Sequence, residues 1–463
     1  MTILLCDTLP YHSDSLSLMT LFVDLPWPIL LDSGHSQGNN YPKHHIDIIA
    51  AAPTKHLISR NNTTYLKGQS GEYNEINEPF FSAIRLGLPK TTRHPNVDLY
   101  PIAPGWMGCL SYDLSKQLEH LPSTTSNDTN IPDAAFGFYE WVIATNHKTK
   151  STCFIYIKGA NVDAVRKRLQ PTYSPTNNDK STLDNFQLKS NFQSDQSKVS
   201  YQENFKQIKN YILSGDTYQI NFAQRFSAKY SGSSWGAYQT LRADNPAPMG
   251  AFFATEDFQL LSLSPERFIK AEGNQLTTSP IKGTRPRAQD AEKDQQNKED
   301  LGNSPKDQAE NLMIVDLLRN DFGKVCKAGS IAVPSLFEIE SFPNVHHLVS
   351  TITGTLNDSY DGIDAIKQGF PGGSITGTPK VRAMEIIDEL ENHHRSAYCG
   401  SMAYFNTIGA CDSNINIRTF VLQGENIHCW GGGGIVADSI CEDEYQETFD
   451  KVERFLLALE KKR

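Results

Sequence analysis

MGAFFATEDFQLLSLSPERFIKAEGNQLTTS, residues 249–279, decides the fold. Three apolar runs, Ala251-Phe252-Phe253, Leu260-Leu261-Ser262-Leu263 and Arg267-Phe268-Ile269, are separated by turn residues, which is the pattern of a meander of strands. The segments around it are different. On the N-terminal side Ser200-x-x-Glu203 reads as a capping box, and Tyr201, Phe205, Ile208 and Ile212 follow at helical spacing before Gly215, predicting an amphipathic helix with a glycine stop. On the C-terminal side helical spacing returns from Asp307 to Arg319. Strands are predicted at His346 to Thr355, Tyr398 to Phe405 and Ser413 to Phe420, with helices at Pro379 to Leu390 and about Glu442 to Leu459. Strands and helices come in groups and do not alternate strictly, so the class is α+β and not a doubly wound parallel sheet.

The 463 residues carry a net charge of −10, and 38% are hydrophobic, the composition of an ordinary globular chain long enough for two to four domains. The acidic balance gives no footprint for nucleic acid or anionic lipid, although a pocket can still be locally basic. No stretch has the ~18 apolar residues of a membrane span, and Met1 to Asp7 lacks the basic segment and apolar run of a signal peptide. Eight scattered cysteines without a Cys-x-x-Cys pair predict reduced thiols in a cytoplasmic protein. Polar residues dominate from Gln170 to Ser200, so the chain is divided into an N-terminal region, 1–170, a linker, 171–199, and a larger region, 200–463.

Four constellations could carry chemistry. The loop Phe370 to Lys380 is glycine-rich and opens a helix, with Thr378 a candidate N-cap and Pro379 at the first helical position. It could bind an anion or be a plain structural turn, but Thr378-Pro379 rule out a nucleotide phosphate loop. Alternation in Ser413 to Phe420 puts Arg418 on the face opposite Ile415 and Ile417, either as a carboxylate clamp or as a surface arginine. Gly431 to Gly434 would let backbone approach a ligand, and they lead to Glu444, Glu447 and Lys451 on one side of a helix. Asp307 and Glu310 repeat the i, i+3 acidic pairing. Two such helices facing one another would hold Mg²⁺, whereas alone each is a solvated acidic face. Finally, Lys282 in Pro280-Ile281-Lys282-Gly283-Thr284 is a candidate nucleophile and Glu266 a candidate acid on what reads as an adjacent strand.

Together with Tyr218 to Asn221, Glu310 to Asp321 and His346 to Ser350, these segments resemble the chorismate-binding enzymes, the family of anthranilate synthase component I, isochorismate synthase and aminodeoxychorismate synthase component I. The likeness is dense from about Ser200 to Leu459. It implies large antiparallel sheets packed as a sandwich with helices outside, and a chorismate site. Lysine at 282, where anthranilate synthases carry alanine, implies amination of chorismate through a covalent lysine adduct; the alternative is the anthranilate reaction. Gln219 stands where isochorismate synthases hold a water-activating lysine, which argues against hydration. The resemblance further implies Lys282 as nucleophile and Glu266 as acid, with Glu310 and Glu447 as Mg²⁺ ligands. Substrate contacts would come from Arg418 and Tyr398 at the enolpyruvyl carboxylate, from Thr284, His347 and Gly434 lining the pocket, and from Lys451 and Gln219.

The first half is similar to the family more loosely, through Trp27 to Gly34 and Gly108 to Asp113. By position it implies a tryptophan pocket formed by Ser33, Lys43, His44, His45, Ile46, Pro248, Met249 and Gly250, with a ligand-free packed sheet edge as the other reading. No Gly-x-Cys-x-Gly is present, so the resemblance implies a separate glutamine amidotransferase subunit as ammonia donor. The implied place in metabolism is folate synthesis through p-aminobenzoate.

Overall fold

A computed structural model describes residues 2–35, 45–68, 71–92, 96–170, 185–342 and 345–462. Two antiparallel sheets face one another. The first, thirteen-stranded, begins at the edge with Leu4–Leu9 and runs through Ser151–Ile157, Trp141–Asn146, Ile46–Ala50 and Ile29–Asp32. It continues through Met249–Ala254, Gln259–Ser264, Thr419–Gln423 and Asn426–Ile435 to the long strand Gln219–Ser231. The second, twelve-stranded, runs from Ile281–Pro286 through Val345–Thr355, Gln275–Ser279, Arg267–Glu272, Cys411–Asn414 and Ser401–Asn406 into Gly105–Leu110 and the strands beyond it. The α+β sandwich expected from the sequence is therefore present.

The meander is realised with one division of labour. Met249–Ala254 and Gln259–Ser264 lie in the first sheet, and after Pro265-Glu266 the chain crosses into the second with Arg267–Glu272. Leu260, Phe253, Phe268 and Ile269 belong to one large apolar cluster with Trp27, Trp106 and Phe136, which extends across the second sheet to the helices Phe80–Gly87, Pro305–Gly323 and Gly362–Gly369. A second apolar cluster lies under the helices Ser234–Asp244 and Glu453–Glu460 on the outer face of the first sheet, and a third seats Lys198–Leu213 and Lys380–Leu390 beside the strand Gln219–Ser231.

Each sheet draws strands from both sides of residues 171–199. Ile29–Asp32 pairs with Met249–Ala254 in one, and Gly105–Leu110 with Ser401–Asn406 in the other. The two halves thus share a packing core. Of the segment 171–199, residues 171–184 lie outside the described residues; Gln187–Leu188 and Gln193–Ser194 pair with the strand Gln219–Ser231.

Several local expectations change. The helix after the polar segment starts at Lys198, capped by the Ser197 hydroxyl on the Ser200 amide, so the Ser200 capping box is not used. The predicted strand Ser413 to Phe420 is broken: Cys411–Asn414 belongs to one sheet and Thr419–Gln423 to the other, and residues 415–418 make the crossing. Arg418, with φ of 52°, sits in that bend and not on a strand face. The terminal helix is two, Cys441–Asp450 and Glu453–Glu460. Cysteine usage also differs, since Cys6 and Cys153 form a disulfide and the other six are free. The pairing of Leu4–Leu9 with Ser151–Ile157 sets Cys6 opposite Ile155 and Thr8 opposite Cys153, bringing the two cysteines to diagonal positions with Cα atoms 6.4 Å apart. Among the described residues no helix is long and apolar enough to cross a membrane.

Candidate active site

The site forms where the ends of both sheets meet the acidic helices. Lys282 owes its position to an irregularity: Ile281 pairs with Val349 and Thr284 with His347, so the Ile281–Pro286 strand carries one residue more than its partner. This is a bulge, and Gly283 at φ of 86° makes it possible. A side chain there would also strike Asp307 and Leu301 at 2.9 Å. The bulge turns Lys282 toward Glu310, whose Oε2 lies 3.8 Å from the ammonium.

Glu266 comes to the same place from the crossing between the sheets. It is buried, and its Oε1 accepts a hydrogen bond of 2.8 Å from the Ser374 hydroxyl. Burial lifts its pKa from 4.5 to about 7, and Ser374, Lys282 and Arg418 only partly oppose the rise. At neutral pH the carboxyl is therefore divided between acid and base forms. Glu266 and Lys282 are not on adjacent strands as expected. Their strands are separated by Gln275–Ser279 and Val345–Thr355, and the residues meet because Glu266 precedes its strand.

The glycine-rich loop resolves in favour of the structural reading, with one functional residue. Pro379, not Thr378, occupies the N-cap of the Lys380–Leu390 helix, and Thr378 pairs with Gln219. The loop is pinned at both ends. The buried Arg395 guanidinium pairs with Glu391 at 2.6 Å and donates to the carbonyls of Ile375 and Asn221, while Lys380 pairs with Asp321 at 2.8 Å. What the loop supplies is Ser374, which sequence reasoning did not single out.

The Asn426–Ile435 strand forms the floor. A Cβ on Gly434 would lie 3.1 Å from both the Lys282 ammonium and the Gln219 amide, and one on Gly432 2.9 Å from the Tyr398 hydroxyl. Only backbone fits between these groups. Tyr398 stacks on Trp430 with centroids 5.8 Å apart, and burial keeps its hydroxyl protonated far beyond neutral pH. Gln219 is completely buried, yet among the described residues neither amide atom has a partner, and the same holds for the Asn416 amide, Asn221 Oδ1 and Glu444 Oε2. Buried polar groups normally find partners, so the free Gln219 amide, which shares the space over Gly434 with the Lys282 ammonium, suits a polar ligand.

The acidic helices arrive as expected, with Glu447 on Cys441–Asp450 and Glu310 on Pro305–Gly323. Burial would raise the Glu447 pKa, but Lys451 foremost, then Lys282 and Lys306, hold it below the ordinary value. Glu444 is pushed the other way, by burial and by Glu447. Among the described residues no three His, Cys, Asp or Glu side chains converge as a metal cage. Two hard carboxylate ligands, Glu310 and Glu447, nevertheless fit Mg²⁺, which retains water and takes its remaining oxygens from substrate. Lys451 is committed to Glu447 at 2.6 Å and to the Gly432 carbonyl at 2.7 Å, so it positions the floor and the ligand. Asp307 is turned to Arg285 at 2.9 Å.

At the other end Thr284 and His347 share a hydrogen bond of 2.8 Å. His347 is neutral, its pKa lowered to about 3 by burial and by Arg418 and Arg454. Arg418 is lowered to about 9 by burial and by Arg454, with Glu266 opposing. Arg454 was not singled out from the sequence.

A separate cavity of about 110 Å³ lies between the sheets, lined by Ser33, His45, Ile46, Pro248, Met249 and Gly250 together with apolar side chains such as Ile102, Met402 and Tyr404. Ser33 Oγ is buried there without a partner among the described residues. Of the residues expected at a tryptophan pocket, Lys43 and His44 lie outside the described residues.

A two-sheet α+β frame that brings a half-buried lysine beside a buried carboxyl titrating near neutrality, an unpartnered amide and two metal-competent carboxylates is the frame of an enzyme for a small anionic substrate. Residues 30–457 match the family model described as chorismate binding enzyme, and the chain belongs to that family. The match reaches well before Ser200, so the first half carries more of the family pattern than its motifs alone disclosed. Aminodeoxychorismate synthase component 1 of Salmonella typhimurium is 44% identical over 455 residues, covering 98% of each chain. Anthranilate synthase component 1 of Thermus thermophilus is 35% identical, covering 84% of each. Among solved structures, anthranilate synthase component I of Streptococcus pneumoniae superposes with a TM-score of 0.78 at 29% identity, covering 90% of this chain and 93% of that one.

Proposed function

We propose that this chain is the chorismate-aminating component of an aminodeoxychorismate synthase, producing 4-amino-4-deoxychorismate on the p-aminobenzoate route to folate. The observation that carries the proposal is Lys282, brought by its bulge near enough for its charge to act on the buried Glu266, in a chain 44% identical to relatives named for this reaction. The Lys282 amine, deprotonated, attacks C2 of the chorismate ring as the double bond shifts and the C4 hydroxyl departs, taking its proton from Glu266. Ammonia then attacks C4, the double bond shifts back, and the C2–N bond to Lys282 breaks. One hydroxyl has been exchanged for one amine, and the enolpyruvyl group is retained. A protonated Glu266 is available for the first step because burial brings its pKa to about 7.

Glu310 and Glu447 would hold Mg²⁺, which when bound offsets the charge of the ring carboxylate. Arg418 and the protonated Tyr398 would bind the enolpyruvyl carboxylate, Gln219 would meet the ring with its unpartnered amide, and His347 with Thr284 would wall the pocket. Ammonia would come from a glutamine amidotransferase subunit, in keeping with the designation "component 1" of the relatives. The inter-sheet cavity, with apolar walls from Leu31, Ile48, Ile102 and Met402 and polar groups from Ser33, Arg267, Lys270 and Asp412, would accept tryptophan with its indole against the former and its charged groups toward the latter.

The deciding experiment incubates the purified chain with chorismate, Mg²⁺ and ammonium at alkaline pH and identifies the product by mass spectrometry. Retention of the enolpyruvyl group with hydroxyl replaced by amine supports the proposal. Anthranilate would overturn it.

A further inference from the structure

A second arginine faces the space assigned to the enolpyruvyl carboxylate. Arg454 stands in the first turn of the Glu453–Glu460 helix and lines a small cavity with Arg418, His347, Pro265 and Asn245. It also lines an outer groove with Asp244, Leu457, Glu460 and Lys461, so its side chain separates that groove from the inner cavity. Both guanidiniums are largely withdrawn from water, and burial lowers the pKa of each. Among the described residues no carboxylate offsets this for Arg454, whose guanidinium stands over the Phe455 ring at 4.7 Å. Arg418 feels Glu266, but among the described residues neither arginine has an acidic group within ion-pair distance.

Two like charges, both short of water and neither paired, are an expensive arrangement in a folded protein. A carboxylate between them would reverse the sign of the interaction and accept charge-assisted hydrogen bonds from both. His347 cannot play that part because it is neutral and already bonded to Thr284. We infer that Arg454 is a substrate-binding residue, a second guanidinium that joins Arg418 on the enolpyruvyl carboxylate. The inference rests on chorismate being the substrate. Arg454 lies on the C-terminal helix, away from the motifs that carry the chemistry, and its place at the cavity comes from that helix packing against Ser234–Asp244.

The test uses the Lys282→Ala chain, which cannot form the adduct, and titrates it calorimetrically with chorismate in the presence of Mg²⁺. Adding Arg454→Met should weaken binding about tenfold, the loss of a charge-assisted contact, and Arg454→Lys should recover part of it. With Lys282 intact, Arg454→Met should raise KM for chorismate by a similar factor with kcat within about twofold. Unchanged affinity would overturn the assignment, as would a lower kcat at unchanged KM, the signature of a merely structural arginine. If Arg454→Met does not fold, Arg454→Gln takes its place with the same expectation. Failure of the Lys282→Ala parent itself to bind chorismate would overturn the functional reading, and this assignment with it.

Discussion

Replacing Glu266 by glutamine should make the protein more stable above neutrality while removing its acid. Glu266 is buried, 5% exposed, and its pKa stands at about 7 against an ordinary 4.5. Each pH unit of that displacement is worth roughly 1.4 kcal/mol, so holding the ionised carboxylate in the fold costs about 3 kcal/mol. The sign follows from proton binding. Between pH 4.5 and 7 the folded state retains a proton that the unfolded state has released, so this carboxyl's contribution declines as pH rises through that window and stays low above it. Glutamine carries no such charge and can still accept the Ser374 hydrogen bond. Urea unfolding of the two proteins should therefore give coincident midpoints near pH 4.5 and a variant more stable by about 3 kcal/mol at pH 8. Amination by the same variant should fall roughly 10²–10⁴-fold, the usual contribution of a positioned general acid. A stability difference that does not change with pH would refute the reasoning, because burial of an ionisable group would then not be what sets the pKa.

Further outcomes follow from the same geometry. Lys282→Ala should abolish a covalent chorismate adduct, looked for by intact-protein mass spectrometry, and leave the circular dichroism spectrum unchanged. Gly434→Ala puts a methyl 3.1 Å from the Lys282 ammonium and the Gln219 amide, so kcat should fall at least about tenfold while the melting temperature changes little. For Glu447→Gln the Mg²⁺ concentration giving half-maximal rate should rise severalfold, and an identical titration would remove it from the ligand set. Because His347 is neutral above about pH 3, His347→Gln should leave the shape of the pH–rate profile between pH 6 and 9 unaltered. Tryptophan titrated into the chain should bind with one-site stoichiometry, weakened by Ile46→Trp, which fills the inter-sheet cavity.

The strands that were legible were those whose apolar runs are self-contained, such as Met249–Ala254 and Gln259–Ser264. The break at residues 415–418 was not, because Ile415 and Ile417 alternate as in a continuous strand and nothing local announces that the sheet changes beneath them. The site had the same division. Lys282 and the acidic pairs Asp307/Glu310 and Glu444/Glu447 could be proposed from residue type and spacing, while the choice of Glu310 and Glu447 within the pairs came from the family resemblance. Ser374 and Arg454 could not, because a serine in a glycine-rich loop and an arginine on a terminal helix become site residues only through long-range contacts. The Cys6–Cys153 disulfide was invisible for the same reason, resting on a strand pairing across 147 residues.

That crossing also explains why one region can hold so many unsatisfied groups. At residues 265–266 and 415–418 the chain leaves one sheet for the other, and the two crossings touch: the Ile415 amide donates to the Glu266 carbonyl at 3.0 Å, and the Ser264 hydroxyl to the Ile415 carbonyl at 2.6 Å. Backbone polarity at the crossings is thus satisfied locally, which fixes Glu266, Asn416 and Arg418 without calling on their side chains. Glu266 then turns its carboxyl to Ser374 and to the charge of Lys282, and the Asn416 amide is left without a partner among the described residues, in a frame braced by both sheets. Each free buried amide costs on the order of 1–3 kcal/mol. A fold with an apolar core as extensive as this one can sustain several, as it does with the Gln219 amide beside Lys282.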